Sequence, residues 1–355
     1  NAKTMVGILN RIGVTAITPG AADLAQPSEL RDTLRKSSDF FWLADDALLE
    51  VAQTTVGGTK LALLGAREGA DVEAMRAAGL EASKQSDVSI LMVDGSRRDA
   101  NKLGSASHVD FVVAGGLDQD EAVPPRPSRD AWVLHASRQG QGLTVIDVYR
   151  SGDSPGFENR SEWSRSEAAG QLDRRIEELS EKIRRWEESA DFTAEELRPQ
   201  RTQLDELRAE RASLDTPLPE STGNRFDARF IELAQTLPKD EAVSKLMREH
   251  DKAVNEANRV AFAHLKPPPL GPKDVAYVGS PSCAACHASA FAWWRNHAHG
   301  AAYLTLQQRH KEFNLDCVGC HVTGYEQPGG STVTHNLDLA LVGVGCESCH
   351  GPGAK

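Results

Sequence analysis

The first 282 residues contain no cysteine, which rules out a disulfide framework over most of the chain. No apolar run approaches the roughly 20 residues that a membrane span requires, and the most hydrophobic stretches, such as Asp110 to Gly116, have the length of a strand. Methionine is scarce: Met5, Met75, Met92 and Met247 are the only four, all ahead of the first cysteine. Positive charge is also short, with 40 Lys and Arg against 51 Asp and Glu, a net charge of −11. Non-specific nucleic-acid binding relies on clustered cations, so that class is excluded. An acidic surface suits solubility and basic protein partners. The chain starts at Asn1 rather than Met, and an upstream segment is expected to have been removed.

A length of 355 residues accommodates two or three domains, and a hydrophobic fraction of 40% is enough for a core. Residues 1–150 alternate short β-branched runs with amphipathic stretches, the mark of an α/β domain. Strands are expected at Thr15 to Thr18, Phe40 to Leu43, Leu61 to Leu64, Ser89 to Val93, Phe111 to Ala114, Trp132 to His135 and Leu143 to Tyr149. Helices are expected at Asp71 to Ala78 and Leu80 to Gln85. A Pro- and Gly-bearing loop, Ser151 to Gly156, closes the region.

Residues 151–272 read as helical. Leu172, Ile176, Leu179, Ile183 and Trp186 form a coiled-coil stripe, and Thr193 with Glu196 is a capping box opening a second helix with Leu197, Leu204, Leu207 and Leu214. An antiparallel hairpin is the economical arrangement, and its stripe is a surface for self-packing, for homo-oligomer formation or for docking to another subunit. Further helices are expected at 225–237 and 240–264. The run from Lys266 to Pro272 reads as a stiff spacer, leaving residues 273–355 as the last domain.

All six cysteines fall in that domain, as Cys283-Ala-Ala-Cys286-His287, Cys317-Val-Gly-Cys320-His321 and Cys346-Glu-Ser-Cys349-His350. Two thiols three residues apart can bond both vinyl groups of one haem, with the adjacent histidine as proximal iron ligand. With 11 histidines in 355 residues, a histidine after all three pairs is a coincidence of about three in a hundred thousand. A zinc site does not need that histidine every time, and a thioredoxin-like dithiol needs a strand-to-helix context missing here. The sequence therefore predicts three covalent c-type haems. With no methionine in the region, local Met ligation is excluded, and His297, His299, His310 and His335 remain as distal candidates for bis-His, low-potential irons. Trp293 and Trp294 are expected to pack against porphyrin, which is expected to be the domain's core.

Tyr277 to His287, Trp294 with His299-Gly-Ala-Ala-Tyr-Leu-Thr-Leu306, Cys317 to Tyr325 and Val344 to Gly353 together resemble the cytochrome c-554-like family, the tetrahaem electron carriers of ammonia oxidisers. The resemblance covers about residues 276–355. It implies that His299, in the His-x-x-Ala segment after Trp, is a distal ligand in preference to His297, while His310 and His335 have no equally clear counterpart. The family usually carries a fourth haem motif and a further histidine after Gly-Pro-Gly, whereas this chain ends at Lys355. Either its C-terminus is trimmed or one haem is missing.

Residues 1–150 are similar to the later half of a calcineurin-like metallophosphoesterase domain of the nucleotidase type, whose two metals activate a bridging water. The resemblance places Ala21 and Ala22 on a ligand Asn and the catalytic His, Asp94 on a ligand His, and Gly116 and Asp118 on two further His positions. The early Asp-x-His motif would precede Asn1. Alanine and glycine bind no metal, so a degenerate domain without phosphoesterase activity is expected, with Asp23, Asp94 and Asp118 as solvated or capping residues.

The expected molecule is multidomain: an α/β metallophosphoesterase-like sandwich, a helical hairpin or coiled coil, and a mainly helical and loop multihaem cytochrome domain. Its expected role is electron transfer on the periplasmic or extracellular face of the cell membrane, with other cytochromes or redox subunits as partners, no nucleic acid, no transmembrane segment and no catalytic residue. A catalytic haem oxidoreductase for a small nitrogen or sulfur compound, and a structural haem subunit of a larger complex, are the alternatives.

Overall fold

The computed structural model describes residues 2–115, 122–135, 140–151, 156–189, 192–336 and 340–354, with the side chain of residue 97 set aside. Gly116, Asp118 and most of the loop that begins at Ser151 therefore lie outside the described residues. Contacts divide the chain into two compact units, Gly13–Leu237 and Asn1–Ile12 with Pro238–Lys355. These limits differ from the sequence boundaries at 150 and 272. Each unit is described by itself.

After α1 (Ala2–Ile12), which belongs to the second unit, the first unit runs β1 (Ala16–Ile17), α2 (Ala21–Leu24), α3 (Ser28–Lys36), β2 (Phe41–Trp42), β3 (Leu49–Val56), β4 (Thr59–Arg67), α4 (Val72–Gln85), β5 (Val88–Asp94), α5 (Arg97–Ser107), β6 (Phe111–Gly115), β7 (Arg126–Ser128), β8 (Ala131–His135), β9 (Gly142–Tyr149), β10 (Glu158–Asn159), α6 (Glu162–Ser189), α7 (Arg198–Ser213) and β11 (Arg225–Glu232). A six-stranded sheet has the order β3-β4-β5-β6-β8-β7, in which β4, β5, β6 and β8 are parallel.

Parallel strands are buried on both faces, so their sequences read as continuous apolar runs, and the period of two sorts the side chains. Ala62, Leu64, Leu91, Val93, Val112 and Val133 face Met75 of α4 with Ala100 and Leu103 of α5. Leu61, Val88, Ile90, Phe111, Val113 and Leu134 face the other way, toward Phe157, Phe226 and Ala228. Phe226 is fully buried, edge-on to Phe111 at 5.2 Å and to Trp132 at 5.2 Å. Replacing it with alanine should lower the unfolding free energy of this unit by about 3–5 kcal/mol in urea titrations followed by tryptophan fluorescence.

The helix expected at 225–237 is instead strand β11. Phe226 and Ala228 point into the core between exposed or half-exposed Arg225, Asp227 and Arg229, a period of two, and the strand pairs antiparallel with β9 along its whole length. The hairpin of β3 and β4 was not expected either. It turns at Gly57 and Gly58, both at positive φ, the two-residue turn that suits strand twist. The stretches 71–78 and 80–85 form one helix, α4, capped by the Asp71 side chain.

The helical hairpin is present. Leu172 and Ile183 of α6 and Leu204 and Leu207 of α7 are buried. Arg201 to Glu187 at 2.6 Å and Arg211 to Asp173 at 2.9 Å pair residues in the antiparallel sense. The Thr193 hydroxyl accepts from the Glu196 N–H while the Glu196 carboxylate accepts from Thr193, the reciprocal bonds of a capping box, but they close a turn at 194–197 and α7 itself begins at Arg198 with Leu197 as its N-cap.

The second unit adds α8 (Glu241–Ala261), α9 (Ser280–Cys283), α10 (Ala288–Asn296), α11 (Ala302–Gln307), α12 (Leu315–His321) and α13 (Glu347–His350) to α1. Helix α1 packs on α8, with Thr4 Oγ1 3.2 Å from His250 Nδ1. Asn255 and Asn258 of α8 grip the Phe313 backbone, accepting its N–H and donating to its C=O, each at 3.0 Å. The proline run lies inside this unit: the Gly329 N–H bonds the Pro268 carbonyl at 3.1 Å. Proline lacks a donor but keeps its acceptor, so such a run can still be tied down.

This unit has an apolar core of its own, Tyr303, Leu306, Val318, Val322 and Val333, with Phe262, Leu265, Phe313 and Cys317 against it. The polypeptide thus contributes a small apolar cluster of its own to this unit. Phe262 and Leu265, in a segment read as lying outside the last domain, pack against that core.

Candidate haem-binding site

Each cysteine pair sits on one helical turn. The His287 N–H bonds the Cys283 carbonyl at 2.9 Å, the His350 N–H bonds the Cys346 carbonyl at 3.0 Å, and Cys317 to His321 lies within α12. Positions i, i+3 and i+4 of a helical turn share a face, which sets the two sulfurs and the following imidazole on one side of the turn at the second and third motifs; at the first, His287 has already left the helical backbone, with φ −122° and ψ 48°. The second cysteine of each pair, Cys286, Cys320 and Cys349, is exposed; the first, Cys283, Cys317 and Cys346, is half-buried; none of the six forms a disulfide.

The first and third motifs are stitched together by short hydrogen bonds. Cys346 donates its N–H to Ser280 Oγ at 3.0 Å. Glu347, the residue after Cys346 and almost wholly buried, accepts backbone N–H bonds from Val278 at 2.9 Å, Gly279 at 2.8 Å and Gly353 at 2.7 Å. Burial pushes the Cys283 thiol up, and the neighbouring Cys346 thiol and the Glu347 carboxylate add to the effect. Nothing in the sequence reading gave Glu347 a role of its own. The only signal was an acidic residue where the other two motifs carry alanine or valine.

The second motif is anchored through its histidine. His321 Nδ1 lies 2.6 Å from the Ala302 carbonyl, which leaves Nε2 as the ring atom for a metal. Beside this motif a cleft of about 450 Å³ is lined by Tyr277, Cys320, Val322, Tyr325, Val344 and Glu347. Burial raises the phenol pKa of both Tyr325 and Tyr303, keeping them neutral. Thiol pairs on one face, a tautomer set for Nε2 ligation and an aromatic-walled cleft of ligand size fit covalent c-type haem.

The distal candidates occupy different surroundings. His297 ends α10 with its ring stacked on Trp293 at 4.3 Å, and the His299 ring is edge-on to it at 4.6 Å. His310, half-buried after α11, has a left-handed backbone. His335, also half-buried, donates its N–H to Thr332 Oγ1. The tryptophans divide: Trp294 donates from Nε1 to the Val344 carbonyl at 2.8 Å, whereas Trp293 is 62% exposed.

The His299 carbonyl accepts from the Val344 N–H at 3.1 Å, two residues ahead of Cys346, and Gly343 donates to the His321 carbonyl at 2.9 Å. Gly343 has φ near +83°, and a Cβ there would stand 2.9 Å from the His299 carbonyl oxygen. Gly343→Ala should therefore displace the His299 segment and lower stability by about 1–3 kcal/mol, readable in denaturant midpoints and in altered low-spin haem EPR lines.

In the first unit, Ala21 and Ala22 lie on α2, and the Asp23 side chain accepts from the Gly20 N–H, a capping role. Asp94 ends β5 half-buried; burial raises its pKa, Arg67 opposes this, and Asp23 adds to it. His108 caps α5 and pairs with Asp130 at 3.3 Å, and His135 is buried at the end of β8. Among the described residues, no three His, Cys, Asp or Glu side chains gather into a metal-holding group.

Comparison with known proteins bears on the two units unequally. Two solved structures align with part of the chain. The putative 5'-nucleotidase from Staphylococcus aureus in complex with alpha-ketoglutarate is 10% identical, with a TM-score of 0.35, covering 42% of this chain and 37% of that one. The Thermus thermophilus sulfate thiohydrolase SoxB in complex with glycerol is 17% identical, with a TM-score of 0.34, covering 43% and 33%. At such scores neither bears on the chemistry. A curated relative, cytochrome c-554 of Nitrosomonas europaea, is 37% identical over 95 residues, 22% of this chain and 40% of that protein. The chain thus spans about 40% of the length of that relative. Residues 282–351 match the family model described as "Cytochrome c554 and c-prime", and over this segment the chain is similar to that family.

Proposed function

We propose that the second unit is a multihaem c-type cytochrome module whose role is electron transfer. The observation that carries this reading is the recurrence, three times, of two cysteines three residues apart on a turn that the following histidine closes or ends. Cys283 with Cys286, Cys317 with Cys320 and Cys346 with Cys349 would each hold one c-type haem through thioether bonds. His287, His321 and His350 would be the proximal ligands, and His299 a distal ligand, with His297, His310 and His335 the further candidates.

Haem supplies a one-electron iron couple when bound. The chain's own residues do the rest. Ala302 orients the His321 ring through Nδ1; Glu347 and Ser280 fix the first motif against the third; Tyr325, Tyr277, Val322 and Val344 wall the cleft beside Cys320. A second histidine opposite each proximal one would keep the iron's ligands unchanged on reduction, so that little would reorganise. Attachment of haem to paired thiols takes place outside the cytoplasmic membrane, which places the protein in the periplasm or on the cell surface. Among the described residues no helix is long and apolar enough to cross a membrane. Other cytochromes or redox subunits are the partners this role requires.

The α/β unit is read as lacking phosphoesterase chemistry, since Ala21 and Ala22 offer no ligand atoms. Turnover of a generic phosphate ester with added manganese would overturn that part. For the electron-transfer role, a redox titration followed by visible and EPR spectroscopy should show low-potential, low-spin irons, with no nitric oxide bound by the reduced protein. A high-spin iron that binds nitric oxide would instead support catalysis on a small nitrogen or sulfur compound.

A further inference from the structure

We infer that His297 and Trp293 are positioning residues that hold His299 as an iron ligand, and that His297 is not itself a ligand. This rests on the haem reading above. His297 Nδ1 accepts the backbone N–H of His299 at 3.2 Å, which puts the ring proton on Nε2 and leaves no lone pair there for iron, the reverse of His321, whose Nδ1 donates to a carbonyl. The ring is held flat against Trp293, with centroids 4.3 Å apart and 21° between planes, and the His299 ring meets it edge-on at 4.6 Å, 80° between planes. Stacking of this kind fixes a ring's plane, and an N–H bond to that ring fixes the backbone it serves.

The rest of the His299 backbone is clamped as well. Its carbonyl accepts from the Val344 N–H at 3.1 Å and the Ala302 N–H at 3.3 Å, while the His297 carbonyl accepts from Gly300 and Ala301. The His299 side chain is exposed, and its backbone is held on both sides. A ligand held this way loses little freedom when it meets an iron, which is the general advantage of preorganisation. The arrangement also gives Trp293 a task. A tryptophan 62% exposed contributes little to a core, yet its face is the platform for His297.

The test uses the haem-loaded, full-length ferric protein and EPR. His299→Ala should convert one haem wholly to high spin. His297→Phe keeps a ring on Trp293 but removes the acceptor. It should shift the low-spin lines of that same haem and raise its ligand-off, high-spin population on the order of fivefold, the loss of one ordinary hydrogen bond. His297→Asn, which retains an acceptor, should fall between wild type and His297→Phe, and Trp293→Leu should resemble His297→Phe. Trp293 is exposed and His297 half-buried, and neither belongs to the apolar core, so denaturant midpoints should stay close to wild type.

Full conversion of one haem to high spin in His297→Phe, with His299→Ala still low-spin, would make His297 the ligand and overturn the inference. A His297→Phe spectrum superimposable on wild type would overturn it too. Absence of porphyrin from the wild-type protein's mass would instead remove the haem reading beneath it, so the two failures are told apart.

Discussion

Exchanging Glu347 for alanine should cost the second unit about 3–6 kcal/mol, measured as the loss of unfolding free energy in denaturant titrations of the haem-loaded protein. The carboxylate is almost fully buried and accepts three backbone N–H bonds, from Val278, Gly279 and Gly353. Alanine would leave those donors without partners in a site too enclosed for each to regain water, and each such orphan costs about 1–3 kcal/mol. Two of the donors immediately precede the first cysteine motif, and the carboxylate belongs to the third, so the loss should also loosen the first motif against the third. Glu347→Gln keeps one acceptor oxygen and should recover about half of the loss. A Glu347→Ala protein with an unchanged midpoint would show that these bonds contribute nothing net.

The second large effect is expected from removing the middle thiol pair. Cys317→Ala with Cys320→Ala should lower the intact mass of the purified protein by one porphyrin and leave the other two motifs loaded. It should also destabilise the unit more than the corresponding change at Cys283 with Cys286 or at Cys346 with Cys349, because Cys317 packs against the apolar cluster of Tyr303, Leu306, Val318, Val322 and Val333. A large-to-small change at a packed site costs transfer energy plus the cavity left behind. Equal destabilisation by all the cysteine changes would contradict the placement of Cys317 in that core.

Which parts of this structure could be read from the sequence follows from how local the signal is. The parallel strands were legible because burial on both faces makes Leu61 to Leu64, Ser89 to Val93, Phe111 to Ala114 and Trp132 to His135 continuous apolar runs. The hairpin was legible because Leu172, Ile183, Leu204 and Leu207 repeat at helical spacing. Strand β11 was not. Arg225, Asp227 and Arg229 look like a helix surface until Phe226 is seen against Phe111 and Trp132, contacts made with residues far away in sequence. Strand β3, with exposed Val51 and Val56, carries too weak an alternation to be called apart from its Gly57-Gly58 turn.

The same division holds at the site. Cys-x-x-Cys-His is a local pattern, and the helical turn beneath it follows from its own backbone. The grip of Glu347 on residues 278–279, of Ala302 on His321 and of Asn255 and Asn258 on Phe313 joins segments up to 69 residues apart. No spacing rule in the chain announces those bonds. The resemblance to known cytochromes favoured His299 over His297, and the structure adds that the His297 ring nitrogen is engaged with the His299 backbone.

Everything proposed for the second unit depends on porphyrin being joined to the paired sulfurs by carbon–sulfur bonds. The most direct measurement is the intact mass of the protein after denaturation and washing in acid acetone, which strips haem that is not covalently held. Three porphyrin increments on the polypeptide, with the red chromophore retained in the pellet, is the expected result. A colourless pellet whose mass is that of the bare chain would contradict it.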